Sequence, residues 1–132
     1  VLICSEKFKT PNSYMIAFDG SKTAIKAVDM IAKSPLLKGL QGHIVMIGND
    51  DATSKHSLVM ATEKLTTSGF TVEAHHLTAS DAVDGLLAFQ QQNAVDIIVI
   101  GAYGHSKFQQ LFVGSTTTKI IAKTPSPVIL IR

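Results

Sequence analysis

Cysteine, tryptophan and long apolar runs are scarce or missing in this sequence of 132 residues. Cys4 is the only cysteine, so no disulfide can form within the chain, and a reducing, cytoplasmic setting is expected. No apolar run approaches the roughly 18–20 residues that a membrane-spanning helix needs. The 12 lysines and arginines are scattered and the net charge is only +2, which predicts no nucleic-acid partner.

The chain does contain a regular alternation of short apolar runs and amphipathic segments. Short apolar runs predict strands at 14–18, 44–47, 96–100 and 126–131. A fifth strand is predicted at 71–77, where apolar and polar residues alternate as they do on an edge strand. Segments with apolar residues at helical spacing predict four helices: 22–33, 54–68, one capped by Ser80 and Asp81, and 117–124. This alternation predicts an α/β fold with a parallel sheet and helices on both faces.

The segment after the fourth predicted strand is the clearest functional signal. Gly101, Gly104 and Gly114 lead into Ser115 and Thr116, which open the last predicted helix. Unpaired N–H groups at a helix start attract anions, and glycine lets the backbone approach a ligand closely. The spacing predicts a phosphate-binding loop rather than glycines that serve the loop alone.

Asp19 follows the first predicted strand, and two roles are open for it. It can form the turn before the cap residue Ser21, as aspartate often does. In a parallel sheet, however, ligands bind at the carboxyl ends of strands where the strand order reverses. Since Asp19 would lie opposite the glycine loop, we favour contact with a ribose hydroxyl or a bound Mg²⁺.

Three motifs resemble the universal stress protein family, over nearly the whole chain from Tyr14 onward. They are Ala17-Phe-Asp-Gly-Ser21, the pattern Gly101-x2-Gly104-x9-Gly114-Ser115-Thr116, and Pro125-x-Pro127-Val-Ile-Leu-Ile131. The resemblance implies one domain over 14–132. It also implies a Rossmann-like fold of the adenine nucleotide alpha hydrolase type, a five-stranded parallel sheet in the order 3-2-1-4-5.

The resemblance also implies ATP binding; Mg²⁺ is expected with the ATP, and the carboxylate of Asp19 suits either a ribose hydroxyl or this metal. The residues it assigns to the nucleoside are Ala17, Asp19, Asn49, Ile100 and Gly101, and those it assigns to the phosphates are Gly104, Gly114, Ser115 and Thr116. Asn49 departs from the family, where many members carry a small apolar residue at this position. His105 and Lys107 either reach the phosphates or are solvated loop residues.

Nothing in the sequence predicts efficient catalysis. It has no Ser–His–Asp arrangement, paired carboxylates or P-loop lysine, so at most a weak ATPase is expected. His75 and His76 are adjacent on a strand and point to opposite faces, and His43 and His56 lack partners at ligand spacing. The sequence therefore implies no zinc site.

The expected function is a stress-response regulatory domain that senses ATP and acts through a dimer or an unidentified protein partner. The apolar segment 128–131 is predicted at a sheet edge, where it would pair in a homodimer or with a tandem domain, as the resemblance implies. Residues 1–13 are either an N-terminal extension or the remnant strand and linker of a preceding domain. The alternatives are a slow ATP hydrolase or nucleotidyl-transfer enzyme, and an interaction scaffold with an empty site.

Overall fold

The computed structural model describes residues 2–4, 10–48, 51–101 and 116–131. These residues form one sheet of six strands in the order β1-β6-β5-β2-β3-β4. All neighbours are parallel except β1 and β6, which are antiparallel. The strands are β1 (Leu2–Ile3), β2 (Ser13–Ala17), β3 (Gln41–Ile47), β4 (Thr71–Leu77), β5 (Ile97–Gly101) and β6 (Val128–Ile131).

Helices follow the strands in the pattern that a parallel sheet requires. Within the described residues they are α1 (Lys22–Lys33), α2 (Ala52–Thr67), α3 (Ala82–Gln92) and α4 (Thr116–Lys123). The first three begin at side-chain caps: Ser21, Asp51 and Asp81 accept backbone hydrogen bonds from the residue three positions later. Because Asp51 is the cap, α2 begins two residues before the start predicted from Ser54.

The structure confirms the predicted α/β fold and the order of the five parallel strands, with β4 at one edge. Two expectations about the other edge are wrong. The sheet has a sixth strand, and β6 is not an open edge, because Leu2 pairs with Ile129 and Ile3 with Val128. A remnant strand was one alternative for residues 1–13, but two residues carry no periodicity that could predict their pairing with β6.

The sheet is covered on both faces, and each face has its own apolar cluster. One cluster packs α1 and α2 onto the sheet through residues such as Val28, Ile31 and Leu65. The other packs α3 and α4 onto the opposite face through Leu86, Phe89 and Ile120. No described helix has both the length and the apolar character that crossing a membrane would require.

A glycine on β3 makes room for an aromatic ring in the cluster under α1 and α2. Tyr14 on β2 pairs with Gly42 on β3 and is fully buried. A Cβ atom placed on Gly42 would lie 2.5 Å from both Cζ and the hydroxyl oxygen of Tyr14. Gly42 is therefore the residue that leaves room for this ring between the two strands.

A buried amide joins α3 to the end of the chain. The Gln90 Nε2 donates to the Val95 carbonyl at 3.4 Å and to the Ser126 hydroxyl, and its Oε1 accepts from the Thr124 hydroxyl at 3.0 Å. Gln90 is only 4% exposed, so these bonds compensate for the loss of water around the amide.

Gln90→Ala is expected to lower the free energy of unfolding by about 2 kcal/mol, since it leaves buried polar partners unpaired and creates a cavity. Urea unfolding followed by circular dichroism measures this loss. Gln91→Ala is the matched control, because Gln91 is exposed on the same helix and its loss should change stability by less than about 0.5 kcal/mol. Equal effects of the two substitutions would contradict the proposed role of the amide network.

Candidate functional site

The carboxyl ends of β2, β3 and β5 meet at one edge of the sheet. β2 lies between β3 and β5, with Ala17 beside Ile100 on one side and beside Val45 on the other. The chain leaves β2 and β3 toward α1 and α2 on one face, and it leaves β5 on the way to α4 on the other. This is the position where the strand order reverses, and it is where ligands bind in open α/β sheets.

A hydrogen-bonded turn connects β2 to α1. The Asp19 Oδ1 accepts from the Ser21 backbone N–H at 2.9 Å, and the Ser21 hydroxyl accepts from the Ala24 N–H at 3.2 Å. Gly20 between them has a φ of +77°, a conformation that glycine adopts without strain. The role of Asp19 as a turn former is thus confirmed. Its side chain is also exposed, and Oδ1 is the oxygen that accepts from Ser21.

Gly101 ends β5 directly against the first turn of α1. A Cβ atom on this residue would lie 2.9 Å from the carbonyl carbon and oxygen of Thr23 and 3.1 Å from the Ala24 nitrogen. Glycine is therefore required here for packing, before any ligand is considered. The contact brings the end of β5 and the amino end of α1 together as the two sides of one cleft.

The cleft between these elements is lined mainly by apolar side chains. Asp19 is the charged residue among the described lining residues, which are Ala17, Phe18, Asp19, Ala24, Val45, Ile47, Ala82, Leu86, Ile100, Gly101 and Ile120. An apolar floor with a carboxylate at one side suits a flat ring joined to a hydroxylated or cationic group.

Four residues predicted for the nucleoside end lie together in this cleft: Ala17, Asp19, Ile100 and Gly101. Thr116 is the first residue of α4. The other predicted contacts lie outside the described residues, so their roles stay predictions; they are Asn49, Gly104, His105, Gly114 and Ser115.

Sequence reasoning missed the apolar floor of the cleft. Ile47 ends β3, while Ala82 and Leu86 come from the first turns of α3, and Ile120 comes from α4. Their apolar spacing indicates ordinary core positions. Such spacing shows that a side chain is buried, but not whether it faces another element or a cleft. The available signal was their position: each lies near the carboxyl edge of the sheet.

Sequence reasoning also missed a pair of histidines on the α3 face of the sheet. His43 on β3 and His75 on β4 lie with Nδ1 and Nε2 only 3.0 Å apart. Burial lowers the pKa of His43, and the neighbouring His75 lowers it further, while Glu73 acts in the opposite direction. The expectation that His43 has no partner is therefore wrong, since its partner lies on the adjacent strand.

The match to known proteins covers this whole architecture. The sequence model of the universal stress protein family matches residues 13–132. The chain belongs to the universal stress protein family. It is 35% identical over 133 aligned positions to the universal stress protein Slr1230 of Synechocystis, and the match takes in 99% of this chain. The same match covers 46% of that relative, so the chain spans less than half of its length.

Solved universal stress proteins share the fold. One from Archaeoglobus fulgidus, determined in complex with dAMP, superposes with a TM-score of 0.71 at 22% identity, over 96% of this chain and 100% of the other. Another, determined in complex with cAMP, superposes with a TM-score of 0.76 at 18% identity, over 94% and 98% of the two chains. At these identities the likeness concerns the fold, and the bound nucleotides belong to those proteins.

Proposed function

We propose that this chain binds ATP, with Mg²⁺, in the cleft at the carboxyl ends of β2, β3 and β5. The observation that carries the proposal is that Asp19 and Gly101 line the same cleft. Gly101 also leads directly into the segment that contains Gly104 and Gly114. The apolar floor accepts the adenine ring, and Asp19 serves a ribose hydroxyl or the metal. The glycine segment and Ser115 supply N–H and hydroxyl groups to the phosphates.

Membership of the family and the adenine nucleotides bound to two solved members support this choice of ligand class. The triphosphate and the magnesium ion are the finer part of the proposal. They rest on the glycine pattern from Gly101 to Thr116 and on the carboxylate of Asp19.

The proposed role is regulation in the cytoplasm: ATP occupancy changes how the domain contacts a partner, in a stress response. The proposed partner surface is β6, either in a homodimer or against a tandem domain. In support, β6 already accepts an antiparallel apolar strand, because Leu2 and Ile3 occupy its outer side. Because β1 covers this edge, an equivalent strand from another copy would have to replace Leu2 and Ile3 to make the same type of ladder.

Asp19→Ala is expected to weaken ATP binding in the presence of Mg²⁺ by about tenfold, since it removes a charged contact to the ligand. Isothermal titration calorimetry of the full chain measures the dissociation constant. Asp19→Asn separates the two roles of the residue, because its side-chain oxygen can still accept from the Ser21 N–H while the charge is lost. Glu63→Gln is the matched control, since Glu63 is exposed on α2 and outside the cleft.

Gly114→Asp tests the phosphate contact separately, because it adds a side chain and a negative charge where phosphates are expected. It should abolish binding. Absence of any response to millimolar ATP in the unsubstituted chain would refute ATP binding altogether. Unchanged affinity in both Gly114→Asp and Asp19→Ala would place the nucleotide elsewhere.

A further inference from the structure

Three potential metal ligands lie together on the α3 face of the sheet, outside the cleft. His43 on β3 pairs in register with Glu73 on β4, and His75 follows Glu73 by two residues. Because side chains alternate along a strand, all three project from the same face. Their ligand atoms lie within 4.8 Å of one another, with 3.0 Å between the two histidine nitrogens and 3.8 Å from His75 Nε2 to Glu73 Oε2.

The surroundings of this cluster combine a rigid wall with access to solvent. Phe89 of α3 packs on both imidazoles, with its ring centre 5.5 Å from His43 and 4.7 Å from His75. His43 is only 8% exposed, His75 is half-buried and Glu73 is exposed on the edge strand β4. Packing therefore restricts the two rings, while an ion can reach them from the open edge of the sheet.

The ligand types indicate which ion would fit. Two imidazoles and one carboxylate are a common set for Zn²⁺ and related transition metals, with water in the fourth position, whereas Ca²⁺ and Mg²⁺ favour oxygen ligands. Two nitrogens about 2.0–2.1 Å from a tetrahedral ion are about 3.3 Å apart. The observed 3.0 Å is within about 0.3 Å of that separation, and a bound ion would replace the direct contact between the two nitrogens.

We propose that His43, Glu73 and His75 bind one divalent transition-metal ion of the Zn²⁺ type. His43 Nδ1, His75 Nε2 and a carboxylate oxygen of Glu73 are its protein ligands. The site lies beside the nucleotide cleft rather than in it: the lining residue Val45 follows His43 by two residues on β3, about 7 Å along a strand, and pairs in register with His75. None of the three ligands lines the cleft.

The experiment uses the tag-free full chain, stripped of metal with a chelator and kept without nucleotide, so that ATP cannot bind the ion. Zn²⁺ is titrated against a chromophoric chelator, and Co²⁺ reports the geometry through the strong visible absorption of four-coordinate cobalt. The expected result is one saturable equivalent of metal per chain with a four-coordinate Co²⁺ spectrum.

His75→Ala and Glu73→Gln are each expected to weaken Zn²⁺ binding at least tenfold and to remove the Co²⁺ spectrum. His56→Ala is the matched control, since it removes an exposed histidine of α2 and should leave both readouts unchanged. Glu73→Gln changes only an exposed side chain, so it tests the site even if a histidine substitution disturbs folding. Absence of a saturable equivalent, or equal binding in Glu73→Gln and the parent chain, would overturn the proposal.

Discussion

Gly101→Ala is expected to lower the free energy of unfolding by about 3 kcal/mol, although it adds a single methyl group. The added Cβ would lie 2.9 Å from the Thr23 carbonyl group, which is backbone and cannot move to another rotamer. The Ser21 hydroxyl, which caps α1 through the Ala24 N–H, also holds this first turn in place. The overlap must therefore be relieved by separating β5 from α1, at the cleft itself.

Chemical unfolding gives the free energy, and thermal unfolding should show a midpoint lower by about 10 °C for a domain of this size. Gly39→Ala is the control. A Cβ there would have none of the described residues within 4 Å, but Gly39 has a φ of +88°, so only backbone strain of about 1 kcal/mol is expected. If Gly101→Ala costs no more than Gly39→Ala, the close packing of β5 on α1 is not a constraint on the fold.

The second large effect is expected at alkaline pH, where the buried hydroxyl of Tyr14 lowers the stability of the folded state. Burial raises the pKa of Tyr14 from 10.0 to about 12, because the phenolate would lose its hydration inside the protein. In the unfolded chain the group ionises near pH 10. The folded state thus loses stability as the pH rises from about 10 to 12, by about 3 kcal/mol in total.

Tyr14→Phe should abolish this part of the alkaline loss. Among the residues that the structure describes, the Tyr14 hydroxyl has no hydrogen-bond partner, so near neutral pH the substitution should be neutral or stabilising by up to about 1 kcal/mol. Urea unfolding at several pH values between about 8 and 11.5 measures the difference between the two proteins. If the free energy of unfolding falls equally with pH in Tyr14→Phe and in the parent chain, Tyr14 does not control alkaline stability.

Much of the fold was predictable from local patterns. The bounds of α1, Lys22–Lys33, and of β4, Thr71–Leu77, agree with the prediction. In α1 the apolar spacing coincides with a serine cap and a buried face, so propensity, patterning and packing agree. In β4 alternation along an edge strand gives the same agreement. The positions of Ala17, Asp19 and Gly101 at one edge of the sheet followed from the parallel arrangement alone.

The features that escaped prediction depend on contacts between distant residues. β3 begins at Gln41, three residues earlier than predicted, because Gly42 and His43 interrupt the apolar run and are explained only by their neighbours Tyr14 and His75. The histidine cluster depends on the register between β3 and β4, which local spacing does not contain. Alternation along one strand predicted that His75 and His76 point to opposite faces, but it could not show that His43 lies beside His75 on the adjacent strand.

The antiparallel pairing of β1 with β6 brings the two ends of the described chain side by side, with Leu2 opposite Ile129. A connection of about two to five residues from the end of β6 to the start of β1 would therefore form an ordinary hairpin. The chain could then be opened elsewhere, for example at the exposed residues Asn93 and Ala94 between α3 and β5. Because its two ends are neighbours, the domain is suited to circular permutation, which would move the chain ends away from β6.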